Sequence, residues 1–140
     1  MSSEKEVPKD ITFFLVEDMS FYRDLFVQSL SNLGFEGKLI QSKNLKEAMK
    51  KLKELGKRNE KIDFIISDLN LPDGTGKILC EKVRASKTFK NVPFLIVTVA
   101  DDPHSVIDSF ESGVDNYLLK PIEEKDLFEK ITFCWNSRNK

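Results

Sequence analysis

Five short apolar runs, each followed by a stretch with helical apolar spacing, limit what this chain can fold into. The runs fall at residues 11–16, 37–42, 62–67, 93–98 and 114–119. They are strand-length and, apart from the weaker second one, mostly continuous, the pattern of strands covered on both faces. Between the first two, Phe21, Leu25, Phe26, Leu30 and Leu33 recur at helical spacing over 20–33. Leu45, Ala48, Met49, Leu52 and Leu55 do the same after Asn44, a residue suited to cap a helix start. Further helices are expected over 77–86, 103–112 and 124–138. Gly34, Gly56 and Gly113 stand where three of the helices should end, and Asp101 or Asp102 where the fourth helix should be capped. Pro121 breaks the fifth strand, and 68–76 reads as a loop punctuated by Pro72, Gly74 and Gly76. Strand and helix thus alternate five times. That order predicts an α/β fold, with helices on both faces of a parallel sheet.

The 140 residues suit one domain, with a core from about residue 11 to 138 and a polar tail at 1–10. This length buries a core without disulfide or metal staples. Eleven Phe against one Trp and two Tyr imply an aromatic interior. A net charge of −1 gives no global reason to expect nucleic-acid or membrane binding. No apolar run is long enough to span a bilayer, and the first ten residues lack the apolar stretch of a signal peptide. Cys80 and Cys134 are far apart and read as reduced thiols, so a cytoplasmic protein is expected. His104 is the one histidine and reads as a solvated residue at a helix start. A His-based zinc site or a Ser-His-Asp hydrolase would need an imidazole placed among other groups. The lysines of 43–61 read as a solvated helix face.

In an open parallel α/β sheet, ligands bind beyond the carboxyl ends of the strands. The first run delivers Glu17 and Asp18 there, the third Asp68, the fourth Thr98 and the fifth Lys120. Each has an ordinary explanation alone; together they put three carboxylates, a hydroxyl and an ammonium at one edge. Two unit charges about 4 Å apart repel by on the order of 4 kcal/mol at an effective dielectric near 20. A fold tolerates that when one acid keeps a proton or a cation sits among them. Oxygen-only ligands favour a hard ion, and Mg²⁺ suits a site with few protein ligands. Carboxylates, Mg²⁺ and a lysine are the groups that proteins set around a phosphoryl group.

Four segments carry a family resemblance: Phe-Leu-Val-Glu17-Asp18, Ile-Ile-Ser-Asp68-Leu-Asn-Leu-Pro72-Asp-Gly-Thr-Gly76, Phe-Leu-Ile-Val-Thr98 and Asn-Tyr117-Leu-Leu-Lys120-Pro121. In this order the chain resembles the receiver domain of two-component response regulators, from about residue 11 to the last helix. The resemblance implies a doubly wound, flavodoxin-like three-layer sandwich with five parallel strands in the order 2-1-3-4-5. It implies that Asp68 accepts a phosphoryl group as a carboxylate nucleophile, from a sensor histidine kinase or a His-phosphotransfer protein. Asp18 and Asp68 would ligate Mg²⁺ by side chain, Asn70 by its backbone carbonyl, and Glu17 through a coordinated water. Lys120 would contact a phosphoryl oxygen, and Thr98 would hydrogen-bond another. Tyr117 matches the switch aromatic that turns inward as Thr98 moves, and the Lys120–Pro121 bond is expected to be cis. Such a domain catalyses only its own phosphorylation and dephosphorylation. Output would come from a surface change, around the fourth helix, fifth strand and fifth helix, that a partner protein reads.

Val99 departs from the small residue usual after the switch Thr, which predicts hindered entry of water and a long-lived aspartyl phosphate. Ile122 stands where many DNA-binding regulators have Phe. The competing readings are a flavin carrier, an Asp-dependent phosphatase and a non-phosphorylated pseudo-receiver acting as an interaction module. The first needs a hydroxyl- and glycine-rich loop where Glu17 and Asp18 stand, and the second an acid where Asn70 stands. The complete set of acids, Thr98 and Lys120 weighs against the third.

Overall fold

The structure, a computed structural model, describes residues 4–99 and 103–139. Five strands form one parallel sheet: β1 (Phe13–Val16), β2 (Leu39–Ser42), β3 (Phe64–Asp68), β6 (Phe94–Thr98) and β7 (Asn116–Leu119). A small antiparallel pair, β4 (Asn70–Leu71) with β5 (Gly74–Thr75), follows β3. The helices are α1 (Ser20–Asn32), α2 (Leu45–Lys57), α3 (Gly76–Ala85), α4 (Pro103–Glu111) and α5 (Glu124–Arg138). The sheet order is β2-β1-β3-β6-β7, which is 2-1-3-4-5 when only its own strands are counted. This is the expected flavodoxin-like receiver fold. Val16 pairs with Ser42 and Ser67, Asp68 with Val97, and Thr98 with Leu119, so the carboxyl ends lie side by side.

Both sheet faces are buried, which explains the continuous apolar runs. Phe13, Leu15, Phe64, Ile66, Leu95 and Val97 pack on one side with α1 and α5. Phe14, Val16, Ile65, Phe94 and Ile96 pack on the other with Leu52 of α2 and Leu79 of α3. Each large apolar side chain removed from water stabilises the fold by about 1.5–3 kcal/mol.

Several details differ from the sequence pattern. Gly56 does not end its helix: α2 runs on to Lys57, and Asn59 takes the left-handed turn at φ 55°. Asn visits that region more readily than most residues. Gly34 and Gly113 do close α1 and α4, at φ 91° and 100°. Pairing starts later than apolarity does, because Ile11 and Ile62 are buried ahead of β1 and β3. The 68–76 loop contains β4 and β5. Phe13, Phe14, Phe26, Phe35, Phe64, Phe89 and Phe94 are buried, the aromatic interior expected, while Phe21, Phe110, Phe128 and Phe133 are exposed. The N-terminal stretch is tied to α5 at Lys5. Val7 is buried, and Asn136 of α5 both accepts from the Lys5 N–H (2.7 Å) and donates to its carbonyl (3.0 Å). The proposed cap at Asp101 or Asp102 lies outside the described residues.

A partly buried network ties the amino end of the sheet together. Asp115 accepts from Arg84 (3.1 Å), Arg138 (2.9 Å) and the Phe94 N–H (2.9 Å). Arg84 also donates to the carbonyls of Gly113 and Val92. Cys80 and Cys134 are free and buried, His104 is exposed, and Lys46, Lys50, Lys53 and Lys57 lie on the solvated face of α2. Among the described residues, no helix is long and apolar enough to cross a membrane.

Candidate functional site

The parallel register decides which residues meet. The Glu17 N–H continues the β1–β2 ladder by donating to the Ser42 carbonyl (3.0 Å), and its side chain turns inward to 1% exposure. Asp18, the next residue, is exposed. The Met19 N–H donates to Glu17 Oε2 (3.0 Å) and fixes that carboxylate. Arg23, in the first turn of α1, donates from Nη1 to the carbonyls of Glu17 and Asp18, each at 2.9 Å.

Asp68 ends β3 and is 7% exposed. The start of α3 lies directly behind it. A Cβ on Gly76 would collide with the Asp68 carbonyl and stand 2.7 Å from Ile96 Cδ1, so only glycine admits this approach. Thr98 ends β6 and is buried; among the described residues its hydroxyl makes only a long contact of 3.4 Å, to the Val99 carbonyl. The Lys120 N–H donates to the Thr98 carbonyl at 2.8 Å, which carries the lysine to the same edge. The Lys120–Pro121 peptide is cis, as the resemblance implied.

The Lys120 ammonium lies 2.9 Å from Glu17 Oε1 and 3.0 Å from Asp68 Oδ2. Carboxylate oxygens of Glu17, Asp18 and Asp68 all fall within 4.8 Å of one another. Burial pushes the Asp68 carboxyl up to about 7; the neighbouring Glu17 carboxyl adds to this, and Lys120 offsets part of it. Asp18 is also raised, by desolvation and by Glu17. Desolvation raises Glu17 as well, but the Met19 N–H, a hydrogen bond shared with Asp68, and Lys120 outweigh it, so Glu17 is held below the usual range. For Lys120, desolvation is outweighed by Glu17 and Asp68, and its pKa is raised. Of the three acids, Asp68 is thus the one most readily protonated, while Glu17 is held low against Lys120.

The donor set is oxygen only, which fits a hard divalent ion. A cation there would offset the burial and the neighbouring Glu17 charge that raise the Asp68 carboxyl. A concavity of about 660 Å³ lies at the opposite end of the sheet between Asp10, Glu36, Lys38 and Lys61. None of the converging groups lines it, and size alone is a poor guide here.

Of the residues expected at the site, Glu17, Asp18, Asp68 and Lys120 come together, with Thr98 on the adjoining strand end. Asn70 is exposed on β4, held by its pairing with Thr75. Tyr117 stands apart, half-buried against the Phe110 ring (6.3 Å) and under the Lys130 ammonium (5.0 Å). It helps line an apolar groove of about 290 Å³ with Val99, Pro103, Ile107, Phe110 and Leu119.

Three neighbours carry no signal in the sequence. Tyr22 lies under the Lys120 ammonium, 4.0 Å from its ring centroid. Arg23 laces the acid loop to α1. Asp73 accepts from the Lys46 (3.0 Å) and Leu45 (2.8 Å) N–H groups, which lower its pKa and cap α2 beside Asn44. The Tyr22 and Asp73 contacts join segments whose proximity only the fold creates.

Comparison with known proteins places the chain in a family. The model of the response regulator receiver domain matches residues 13–132. The chemotaxis protein CheY1 of Helicobacter pylori strain J99 is 33% identical over 117 residues, covering 84% of this chain and 90% of that protein. The chemotaxis protein CheY-3 of Vibrio cholerae is 28% identical over 123 residues, covering 88% and 90%. A solved putative response regulator from Chloroflexus aurantiacus superposes with a TM-score of 0.78 at 26% identity, covering 91% of this chain and 99% of that one. On the family match, the relatives and the shared fold, the chain belongs to the response regulator receiver family.

Proposed function

We propose that the chain is a phosphoacceptor that takes a phosphoryl group on Asp68 in a Mg²⁺-dependent reaction. The observation that carries this is the meeting of Asp68, Glu17, Asp18 and Lys120 at one end of the sheet. The donor would be a sensor histidine kinase or a His-phosphotransfer protein. Residues 11–138 would form one receiver domain acting in the cytoplasm, a reading supported by the family match over 13–132 and by two free, buried thiols.

An ionised Asp68 oxygen attacks the phosphorus, the bond from phosphorus to the donor nitrogen breaks, and the electron pair leaves with the donor imidazole. Asp18 and Asp68 side chains and the Asn70 carbonyl would hold Mg²⁺, with Glu17 acting through water. The bound ion would neutralise charge on the phosphoryl oxygens and favour loss of the Asp68 proton before attack. Lys120 gives up its contact with Asp68 Oδ2 and places its charge on a phosphoryl oxygen. Thr98, with a hydroxyl that is weakly engaged, hydrogen-bonds another. Its movement frees Tyr117 to turn in the groove between α4 and β7, and a partner protein that prefers this state reads the change. The relatives named as chemotaxis proteins support output to a protein partner.

Incubation with acetyl phosphate and Mg²⁺, followed by intact mass, tests the proposal. One added phosphoryl group is expected in the parent and none in Asp68→Asn. Absence of any addition across a range of Mg²⁺ concentrations would favour the interaction-module reading.

A further inference from the structure

We propose that Tyr22 is a positioning residue for phosphoryl transfer: its ring face holds the Lys120 ammonium against Asp68 and Glu17. This rests on the phosphoacceptor reading above. Two sides of the ammonium face carboxylates, at 2.9 and 3.0 Å. A third faces the Tyr22 ring, whose centroid is 4.0 Å away. The Lys120 side chain is only 10% exposed, so this ring stands between the charge and bulk water.

The ring suits the task chemically. A lysine head sits on a flexible four-carbon stem and is strongly hydrated. Water on its open side would draw it out of the site. An aromatic face attracts the cation through its quadrupole and offers no carboxylate to compete with a phosphoryl oxygen. The ammonium can therefore exchange Asp68 Oδ2 for the incoming oxygen while staying against the ring.

The ring is itself held. Phe21, 66% exposed, packs its ring edge-on against Tyr22, with centroids 5.3 Å apart at 84°. Arg23, the following residue, ties the same turn of α1 to the Glu17 and Asp18 carbonyls. One helical turn thus sets both the acid loop and the lysine.

The test compares Tyr22→Phe, which keeps a ring, with Tyr22→Leu, which does not. The maximal rate of phosphorylation by acetyl phosphate under saturating Mg²⁺ should fall about three- to tenfold in Tyr22→Leu. Tyr22→Phe should stay within about twofold of the parent, and the half-saturating donor concentration should not move in either. An independent readout needs neither metal nor donor. The Lys120 ε-methylene protons should be shifted upfield by the ring in the parent and in Tyr22→Phe, and return to ordinary positions in Tyr22→Leu. Should Tyr22→Leu fail to fold, Tyr22→Met replaces it. Equal rates in both variants, or unshifted Lys120 protons in the parent, would overturn the assignment. A parent that takes up no phosphoryl group would instead overturn the phosphoacceptor reading, and this proposal with it.

Discussion

The Lys120 ammonium stands 3.0 Å from Asp68 Oδ2, and the Glu17 carboxylate 2.9 Å away on its other side shares the same charge. One cation thus serves two buried acids. Lys120→Met is expected to leave both without it. Breaking a buried pair by removing one partner typically costs several kcal/mol. Once the lysine is gone, Asp68 can take up a proton, which absorbs part of that, so a loss of about 2 kcal/mol at pH 8 is expected in urea unfolding. Phosphorylation should slow by about ten- to a hundredfold. Parent-like behaviour in both measurements would mean that the ion pairs are incidental.

The raised Asp68 carboxyl gives stability a pH dependence with a definite sign. Its folded value is about 7 against an ordinary 3.8, so between these limits the folded state binds more protons than the unfolded one. Its favourable contribution is complete below about 3.8 and is lost as pH rises through 7. Asp68→Asn, which cannot ionise, should resemble the metal-free parent at pH 5. It should be more stable by on the order of 2 kcal/mol at pH 8. Mg²⁺ should close the gap by stabilising only the parent. A pH-independent gap in urea titrations would contradict this account.

Gly76 is the point where α3 touches the back of Asp68. Gly76→Ala forces a methyl group into backbone and into the Ile96 side chain. A cost of about 1–3 kcal/mol is expected, because tight sites resist added atoms. The displacement falls on Asp68, so the phosphorylation rate should drop more than Mg²⁺ affinity. Thermal melts and mass kinetics on the same samples would separate the two effects.

Val99 is 47% exposed and lines the groove beside Tyr117. If it also shields the phosphoryl group from water, Val99→Ala should shorten the aspartyl-phosphate lifetime by about threefold, a change of under 1 kcal/mol in barrier height. An unchanged decay rate would confine Val99 to the groove.

Asp115 joins α3, β6, β7 and α5 far from the proposed chemistry. Asp115→Ala takes the carboxylate from two guanidinium groups, which keep their bonds to the Gly113 and Val92 carbonyls, and leaves the Phe94 N–H without its acceptor. The expected cost is about 3–5 kcal/mol, read as a fall in the urea midpoint with no change in slope. In a variant that remains folded, phosphorylation should proceed at the parental rate. A large kinetic effect would imply that this corner communicates with the site.

Much of this was legible in the residues. The continuous runs around Phe14, Ile65 and Ile96 announced strands buried on both faces, because two cores demand apolar side chains in both directions. The acids, Thr98 and Lys120 announced a common edge, because parallel strands deliver their last residues to the same end. Apolarity was a poorer guide to boundaries, since Ile11 and Ile62 are buried by packing and not by pairing. Gly56 misled for a related reason: a helix ends where its packing and capping end, and Asn59 supplied the turn.

What the sequence determined by itself was the order of elements and the identity of the charged groups, since both follow from local periodicity and strand direction. The tertiary structure alone decided the arrangement among those groups. Which acid keeps a proton depends on burial and on angstrom-scale distances to Lys120 and Met19. That Tyr22 covers the lysine, that Asp73 caps α2 and that Asn136 clamps the N-terminal stretch depends on segments far apart in the chain. Such contacts leave no periodic trace, because each is a single meeting of two surfaces that exists only once the sheet and helices have packed.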